Sequence, residues 1–353
     1  MKRRFLPVAA LALAGAAAPT PYPVVKPGAV FAFPRDHGAH PAFRTEWWYV
    51  TGTLHGANGR PLGFQVTFFR THPAVPTGGA SRFDPSQILF AHAALSDPAL
   101  GHLLHGEQAA RAGFGLAGAA VGDADVGLRG WRLKRLADGS FATRVATRDF
   151  ALQLRFRPTE PVLLEGEGGY SRKGPDSTQA SYYYSLPHLA VTGTVRRGTE
   201  SMAVTGQAWM DREWSSDYLA PGAAGWDWTG LNLADGGALM AFRIRNRQGG
   251  TLWAGGSFRR ADGQLTVFRP DDVRFIPLQR WRSARTGATY PVAQRLEIRL
   301  PEGVQGWTLR PVFPDQELDG RAGGLPVYWE GAVTTQGGAG YLELTGYAAP
   351  LTL

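Results

Sequence analysis

The sequence predicts an all-β protein made of two similar antiparallel domains, each a barrel or a sandwich. Apolar and polar residues alternate along most of the chain, whereas apolar residues at helical spacing are nearly missing. The 46 glycines and 25 prolines provide turns at short intervals between the expected strands. A chain of 353 residues is long enough to form two domains, each with a core of its own.

A repeated hairpin indicates that the two domains are related. A gapless shift of 178 residues places Trp48 on Trp226 and Gly52 on Gly230. The same shift places Thr51 on Thr229, Gly59 on Gly237, Leu62 on Met240, Phe64 on Phe242 and Val66 on Ile244. Each copy consists of an aromatic-rich strand, a turn containing glycine and a second alternating strand. Repetition at half the chain length predicts two β domains that share a groove.

The individual elements follow from the same alternation in chain order. In the first half we expect strands near residues 46–55, 62–70, 87–96, 129–136, 141–147 and 149–157, then 189–196 and 202–210. In the second half we expect strands near 226–234, 238–246, 251–260, 294–300, 307–313, 328–334 and 341–346. The segment from Gly101 to Gly127 is expected to be a Gly/Ala-rich insertion that could contain a short helix. Because Ser215 to Gly225 is the best candidate for a linker, we expect domains at 20–215 and 216–353.

Residues 1–19 have the features of a secretory signal peptide. Lys2-Arg3-Arg4 is a basic start, residues 5–18 are apolar, and Ala16-Ala17-Ala18 offers a cleavage site before Pro19. An uncleaved membrane anchor is the alternative for the same residues. We expect a periplasmic or secreted protein without a transmembrane segment in its mature chain, because no other stretch is long and apolar enough.

Composition and missing motifs exclude several classes of function. The chain has no cysteine, so disulfides, thiolate catalysis and cysteine-bound metal centres are excluded. The formal charge of +8 comes with scattered arginines and no basic run, and we therefore expect no binding of nucleic acid. Residues 113–118 match a dinucleotide-binding fingerprint, but Gly122 and Gly127 interrupt the segment where a helix is required. No serine-hydrolase or zinc-protease motif is present, and we expect neither a cofactor nor a metal.

The stretch from Gln207 to Ser216 carries the most promising chemistry. Trp209, Asp211 and Glu213 alternate along an expected strand, so they share one face, with the two carboxylates roughly 6–7 Å apart. In an apolar cavity, burial and mutual repulsion would keep one carboxyl protonated, and indole faces could stabilise a developing cation. We predict Asp211 as the proton donor, Glu213 as the group that sets its pKa, and Trp209 as part of an aromatic wall. The competing interpretation is a solvated pair of carboxylates bound to arginine at a domain junction.

Two further aromatic stretches supply candidates for ligand contact. Trp226 and Trp228 flank an aspartate in the second copy of the hairpin, and we expect both to extend the aromatic wall. Glu46 and Trp48 share one face of the first copy, where we consider both as ligand contacts. A hydrogen-bonded plug at the closed end of a barrel is the alternative role for Glu46.

Three polar candidates lie on other strands. His92 is a lone histidine in an apolar strand, so it either faces a pocket or is satisfied in the core. Tyr184 and His188 lie in a tyrosine-rich approach to a strand and could form part of a pocket wall. We predict polar ligand contacts for all three.

Four of these stretches together resemble the AttH family of bacterial secreted proteins, often described as secreted hydrolases and related to carotenoid 1,2-hydratase. The matching motifs are residues 45–52, 183–187, 209–215 and 225–228, and the resemblance extends from about His37 to Tyr347. It implies two lipocalin-like (calycin) β-barrels packed together. It also implies an apolar ligand, because the relatives of this fold include carotenoid and kievitone hydratases and fungal Diels–Alder cyclases.

The resemblance carries over one catalytic residue. Carotenoid hydratase has a Tyr-x-Asp element, of which Asp211 is matched here while Trp209 replaces the tyrosine. An upstream His-x-Trp element of the hydratase is not matched at Tyr182–Tyr184. The resemblance therefore does not extend to the residues specific to carotenoid hydration, and Asp211 is the acid that it supports.

These observations lead to two hypotheses about function. In the first, the protein binds an apolar, lipid-like or polyene molecule in a groove between two barrels, with acid-catalysed hydration, cyclisation or isomerisation at Asp211. In the second, it is a non-catalytic lipid carrier or accessory protein that works with ABC-transporter components, a partner that the family resemblance implies. A structural module whose tryptophans only fill two cores is a third alternative.

Overall fold

The computed structural model describes residues 22–56, 59–73, 86–217, 219–323 and 325–351. The predicted signal peptide, residues 1–19, lies outside the described residues and stays a prediction. No helix in the described ranges is long and apolar enough to cross a membrane.

Within the described ranges, twenty-three β-strands make up almost all of the regular structure. The first thirteen are β1 (Thr45–Gly56), β2 (Pro61–Thr71), β3 (Ile88–Ser96), β4 (Leu103–Arg111), β5 (Ala117–Ala119), β6 (Asp125–Leu128), β7 (Trp131–Arg135), β8 (Phe141–Ala146), β9 (Phe150–Arg157), β10 (Leu163–Leu164), β11 (Tyr170–Arg172), β12 (Ala180–Arg197) and β13 (Glu200–Ser215). The remaining ten are β14 (Ala223–Leu233), β15 (Ala238–Asn246), β16 (Thr251–Arg259), β17 (Leu265–Phe268), β18 (Val273–Arg282), β19 (Thr289–Leu300), β20 (Gly303–Pro311), β21 (Glu317–Asp319), β22 (Val327–Thr335) and β23 (Gly338–Leu344). Three short 3-10 helices are Arg35–His37, Pro270–Asp272 and Gly320–Gly323.

The strands form two antiparallel sheets, which confirms the predicted all-β class with two lipocalin-like units. The first sheet has the order β4-β3-β2-β1-β13-β12-β9-β8-β7-β6-β5, with β10 and β11 also paired to β12. The second has the order β17-β16-β15-β14-β23-β22-β20-β19-β18, with β21 paired to β22. Each sheet curls on itself, since β3 and β4 approach β6 in the first, and β15 approaches β18 in the second. Each encloses its own apolar core.

The sheets divide the sequence where a linker was expected. The first sheet ends with β13 at Ser215 and the second begins with β14 at Ala223. The predicted boundary at residues 215 and 216 coincides with this transition. That each half folds as a domain of its own stays a prediction.

The segment from Gly101 to Gly127 is not an insertion with a helix, and this expectation is wrong. It contains β4, β5 and β6, and β4 is paired with β3 along its full length. Gly113 and Gly115 adopt positive φ angles of 98° and 71°, so they form the turn that returns the chain from β4 to β5. The segment forms strands because β3 supplies the backbone hydrogen-bond partners of β4 that a helix would have supplied internally. Its glycines lie at the turns between these strands.

The repeated hairpin exists in both sheets, but the shift of 178 residues does not preserve the direction of the side chains. Trp48 on β1 is fully buried in the first barrel, whereas its counterpart Trp226 on β14 faces the space between the sheets. In β1 the residues that face this space are Trp47 and Tyr49. Displacing a strand by one residue moves every side chain to the other face of the sheet. The shift of 178 residues therefore differs from the structural equivalence of the two hairpins by an odd number of residues.

The outer faces of the two sheets pack against each other through a third apolar cluster. Tyr49, Tyr183 and Trp209 contribute from the first sheet, and Trp228 and Met240 contribute from the second. Packing of these large side chains leaves a cavity beside them, and that cavity is where the candidate site lies.

Candidate functional site between the two sheets

A cavity of about 590 Å³ lies between the two sheets, within the range of small-molecule sites. Its wall on the first sheet includes Thr45, Trp47, Tyr49, Gln65, Thr67, Phe69, Phe90, His92, Lys173, Tyr183, Asp211 and Glu213. Its wall on the second includes Trp226, Trp228, Phe242, Ile244, Thr286, Arg321, Tyr328, Glu330, Glu343 and Thr345, with residues 325–327 and 348–351. Both walls contain aromatic rings, and carboxyl groups are set among them.

Asp211 lies on β13 in the middle of a row formed across three strands. Tyr49 on β1 and Ser185 on β12 are its direct neighbours on either side. One carboxylate oxygen, Oδ1, accepts hydrogen bonds from Ser185 Oγ at 2.6 Å and Trp209 Nε1 at 2.6 Å. The other oxygen, Oδ2, is 2.7 Å from the hydroxyl of Tyr183, which itself accepts a hydrogen bond from Trp228 Nε1 at 3.0 Å.

Ser185 links Asp211 to a second carboxyl group behind the cavity wall. Its Oγ is 2.9 Å from Glu165 Oε1 as well as 2.6 Å from Asp211 Oδ1. A serine hydroxyl has one hydrogen to donate, so both contacts are hydrogen bonds only if one of the carboxyls carries a proton. The geometry therefore indicates a proton held between Asp211 and Glu165.

The pKa shifts of these two carboxyls agree with that proton. Burial raises the pKa of Asp211 to about 7, although hydrogen bonds to its carboxylate oppose the rise. Burial also raises the pKa of Glu165 to about 8, with a further increase from the charge of Asp211. The pair can therefore hold and release a proton near neutral pH.

Glu213 is held as a charged partner next to Asp211. Its carboxylate accepts a hydrogen bond from Ser181 and is 3.1 Å from Lys173 Nζ. The ammonium group of Lys173 also lies over the rings of Tyr183 and Phe242, at 4.6 Å and 4.1 Å from their centroids. The predicted effect of Glu213 on Asp211 is present, since its charge raises the pKa of Asp211, but burial is the larger cause.

The wall on the second sheet carries its own carboxyl pair. Glu330 on β22 and Glu343 on β23 are direct neighbours across the two strands, and Trp228 on β14 continues the row. Glu343 accepts a hydrogen bond from Trp226 Nε1 at 2.9 Å. Burial raises the pKa of Glu343 to about 7 and raises that of Glu330 well above its usual range.

His92 lies on this cavity as a neutral side chain. Its Nδ1 is 2.7 Å from the hydroxyl of Tyr328, which also accepts a hydrogen bond from Gln65 Nε2 at 3.1 Å. Burial lowers the pKa of His92 to about 3, so the ring is uncharged at neutral pH.

Five of the ten predicted site residues line the cavity, namely Asp211, Glu213, Trp226, Trp228 and His92. A sixth, Trp209, lies behind the wall and supports it through its hydrogen bond to Asp211. Binding of a ligand by these residues stays a prediction.

The remaining four predicted residues do not lie at the cavity. Tyr184 is fully buried in the first barrel and its hydroxyl is 2.7 Å from His37 Nδ1. His188 is 2.9 Å from the carbonyl oxygen of Gly237 through Nε2, so it joins the two sheets. Their strand, β12, is irregular between Leu186 and Leu189, and this changes the direction of the side chains.

Glu46 and Trp48 lie inside the first barrel. Glu46 is fully buried and forms ion pairs with Arg70 and Arg212. The guanidinium of Arg212 lies 3.9 Å from the ring centroid of Trp48. This arrangement is the plug that was considered as the alternative for Glu46, and the position of Trp48 in the core leaves it no contact with the cavity.

Several wall residues were not predicted from the sequence. Tyr183 follows from alternation only after its strand is known to pair with β13, because the irregularity in β12 hides the pattern. Glu330 and Glu343 could have been predicted from the sequence, because each is a lone acidic residue among apolar residues of a strand. Glu165 lies in a loop, and nothing in its neighbours indicates that it reaches Ser185.

The site contains no set of metal ligands. Among the residues that the structure describes, no three His, Asp or Glu side chains lie together in a way that could hold a metal ion. The cavity instead combines aromatic rings with protonated carboxyls, which is an arrangement suited to moving protons.

Comparison with known proteins identifies the family. A family profile described as AttH-like matches residues 24–347. The chain belongs to the AttH-like family. The resemblance read from the sequence motifs is thus confirmed, while no curated protein sequence matches the chain.

Solved structures place this AttH-like chain among proteins of the same fold. It is 52% identical to an AttH protein from Nitrosomonas europaea, with a TM-score of 0.85 over 92% of this chain and 99% of the other. Kievitone hydratase from Nectria haematococca is 14% identical, with a TM-score of 0.67 over 94% of this chain and 97% of the other. CghA with Sch210972 is also 14% identical, with a TM-score of 0.54 over 86% and 89% of the two chains. The last two likenesses show a shared fold, which is not that of a nucleic-acid-binding protein.

Proposed function

We propose that the protein is an acid catalyst that adds water to, isomerises or cyclises an apolar unsaturated molecule bound in the cavity. The observation that carries the proposal is the carboxyl of Asp211, which lines an aromatic cavity and contacts Ser185 Oγ, which in turn contacts the carboxyl of Glu165. A group with a pKa near the working pH is suited to general acid catalysis. The fold shared with a protein named kievitone hydratase supports this reaction class.

The chemistry can be written with the residues of the wall alone. Protonated Asp211 gives its proton to one carbon of a double bond, and a cation develops on the neighbouring carbon. The ring faces of Tyr183, Trp226 and Trp228 line the space where that charge would form. In hydration, the oxygen of a water molecule bonds to the cation, and the proton that this water loses returns to Asp211. In isomerisation, the cation instead loses a proton from carbon to Asp211. In cyclisation, a second double bond of the ligand bonds to the cation, and the new cation loses a proton from carbon to Asp211.

The test uses acyclic terpene hydrocarbons, from myrcene to squalene, incubated with the protein in water labelled with oxygen-18. We expect a product with one labelled oxygen, or an isomer detected by mass. Asp211→Asn should lower the rate by about 10²–10⁴, the usual contribution of a general acid. Asp271→Asn, at an exposed aspartate that does not line the cavity, is the matched control and should leave the rate unchanged.

The outcome also separates this proposal from a carrier. Turnover that is unchanged in Asp211→Asn would exclude the proton-donor role. Native mass spectrometry that finds a bound lipid, chemically unchanged and released intact, would favour the non-catalytic carrier that works with ABC-transporter components. The apolar walls of the cavity would serve either role, but a carrier has no need of a buried carboxyl with a shared proton.

A further inference from the structure

The cavity has a polar corner that the proposed reaction does not use. It lies around the hydroxyl of Tyr328 and consists of Tyr49, Gln65, His92 and Glu330. Tyr328 and Glu330 are two residues apart on β22, so they lie on the same face of the strand. All of these residues are at least nine-tenths buried.

The corner contains polar atoms with no hydrogen bond of normal geometry within the described chain. They are the hydroxyl of Tyr49, Oε1 of Gln65, Nε2 of His92 and both carboxyl oxygens of Glu330. The Glu330 carboxyl interacts with the hydroxyls of Tyr49 and Tyr328, although the geometry falls outside that of a normal hydrogen bond. Buried polar atoms in a native protein are nearly always bonded, and so many unpaired atoms in one corner of a cavity indicate a polar group of a ligand.

The mixture of donors and acceptors defines the kind of group that fits. Gln65 Oε1 can only accept, whereas the hydroxyl of Tyr49 can donate. We assign the hydroxyl hydrogen of Tyr328 to Nδ1 of His92, which places the ring hydrogen on Nε2 and makes it a second donor. A ligand group here must therefore both donate and accept hydrogen bonds.

Charge excludes the common lipid head groups. Glu330 and Glu343 face the cavity together with Asp211, while the positive charge of Lys173 is already engaged by Glu213. An anionic head group would find no unpaired cation in the described wall, because Arg321, the other cation there, forms an ion pair with Asp319. An ammonium group has three donors and no acceptor, so it would leave the ring N–H of His92 without a partner.

We propose that this corner, with Glu330 at its centre, is the recognition site for an uncharged hydroxyl group on an otherwise apolar ligand. The inference deepens the proposed function, since it rests on the same cavity and narrows the class of substrate to alcohols and phenols. The hydroxyl donates to Gln65 or Glu330 and accepts from Tyr49 or His92. The apolar body of the ligand then extends along the aromatic walls toward Asp211.

The test compares three ligands that have the same saturated chain and different head groups. Decan-1-ol, decylamine and decanoate are titrated into the wild-type protein by calorimetry at pH 7, below their micelle concentrations. We expect decan-1-ol to bind at least tenfold more tightly than either of the others. Binding of decylamine or decanoate within threefold of decan-1-ol, or no binding of any of the three, would overturn the proposal.

Two variants connect the preference to Glu330. Glu330→Leu should weaken the binding of decan-1-ol at least fivefold. It should also bring the affinities for the three ligands within threefold of each other. Glu330→Gln keeps a donor and an acceptor at the same place and should retain the preference for decan-1-ol. Glu200→Leu, at an exposed position, is the matched control and should bind as the wild type does. A preference that survives in Glu330→Leu would assign recognition to other residues and overturn the role of Glu330.

These ligands contain no double bond, so their binding is independent of acid catalysis. Loss of the head-group preference would leave catalysis at Asp211 standing. Failure of Asp211→Asn to slow turnover would likewise leave the recognition site standing.

Discussion

Asp211 illustrates how much of a site residue can be predicted from a strand sequence. Alternation places Asp211 on the same face as Trp209 and Glu213, and the structure shows Trp209 and Asp211 in direct hydrogen-bond contact. The partners Ser185 and Tyr183 come from a strand about thirty residues earlier in the sequence. The pairing of β12 with β13 brings them together, and an irregularity in β12 makes that register unreadable from sequence.

A testable consequence at the residue scale concerns Glu46. Burial alone would raise its pKa, but a hydrogen bond from His40 and the charges of Arg212 and Arg70 lower the pKa of Glu46 to about 2. Glu46→Gln would leave two buried arginines without a balancing charge. We expect a loss of about 3–5 kcal/mol in the free energy of unfolding at pH 7, as measured by urea denaturation.

The dependence on pH gives a second readout for the same variant. Because the pKa of Glu46 is lower in the folded state, its contribution is present above the unfolded pKa of about 4.3 and is lost as the pH falls toward 2. The difference between wild type and Glu46→Gln should therefore shrink between these pH values. A difference that stays constant would mean that the carboxylate charge is not what stabilises the plug.

At the scale of elements, the β1–β2 and β14–β15 hairpins show what a repeat can and cannot predict. Shared aromatic residues and glycines correctly indicated two hairpins. The direction of each side chain depends on which strand lies on either side, and sequence similarity does not record it. For this reason the sequence predicts Trp48 as a ligand contact, although Trp48 belongs to the barrel core and the neighbouring Tyr49 lines the cavity.

A contact between elements supplies the next prediction. Asn232 on β14 accepts a hydrogen bond from the backbone of His188 at 2.9 Å and donates one to the carbonyl of Ala208 at 3.1 Å. It thereby ties the second sheet to β12 and β13 of the first. Asn232→Ala should lower the free energy of unfolding by about 1–3 kcal/mol, because buried backbone groups lose their partners.

Urea denaturation of Asn232→Ala provides the measurement. Gln264→Ala, in an exposed turn of the second sheet, is the comparison and should differ little from wild type. Equal stability of the two variants would show that the hydrogen bonds of Asn232 do not hold the sheets together.

At the scale of the whole molecule, the cavity makes the protein less stable as the pH rises. Asp211, Glu165 and Glu343 have pKa values of about 7, 8 and 7 in the folded state. Each binds its proton more tightly when folded than when unfolded, so folding stability falls from about pH 4 until the folded pKa is passed. Such buried acids are retained at a cost, which is expected of functional groups rather than of structural ones.

Glu165→Gln tests this effect without removing a cavity-lining acid. The free energy of unfolding of the variant should equal that of the wild type near pH 4. At pH 9 it should exceed that of the wild type by about 2–4 kcal/mol, because the wild type must ionise a buried carboxyl there. Thermal and urea unfolding across this range provide the measurement, with the exposed Glu200→Gln as control. A variant less stable than wild type at pH 9 would show that Glu165 is charged and paired in the folded protein.

The sequence by itself determined the β class, the two related halves, the family and the acidic strand that carries Asp211. These properties follow from alternation, glycine-rich turns and local motifs, which are properties of neighbouring residues. Only the tertiary structure decided that Ser185 contacts both Glu165 and Asp211, and that Glu330 and Glu343 line the same cavity as Asp211. Strand register and sheet-on-sheet packing bring these groups together from distant parts of the chain, and burial between the sheets sets their pKa values.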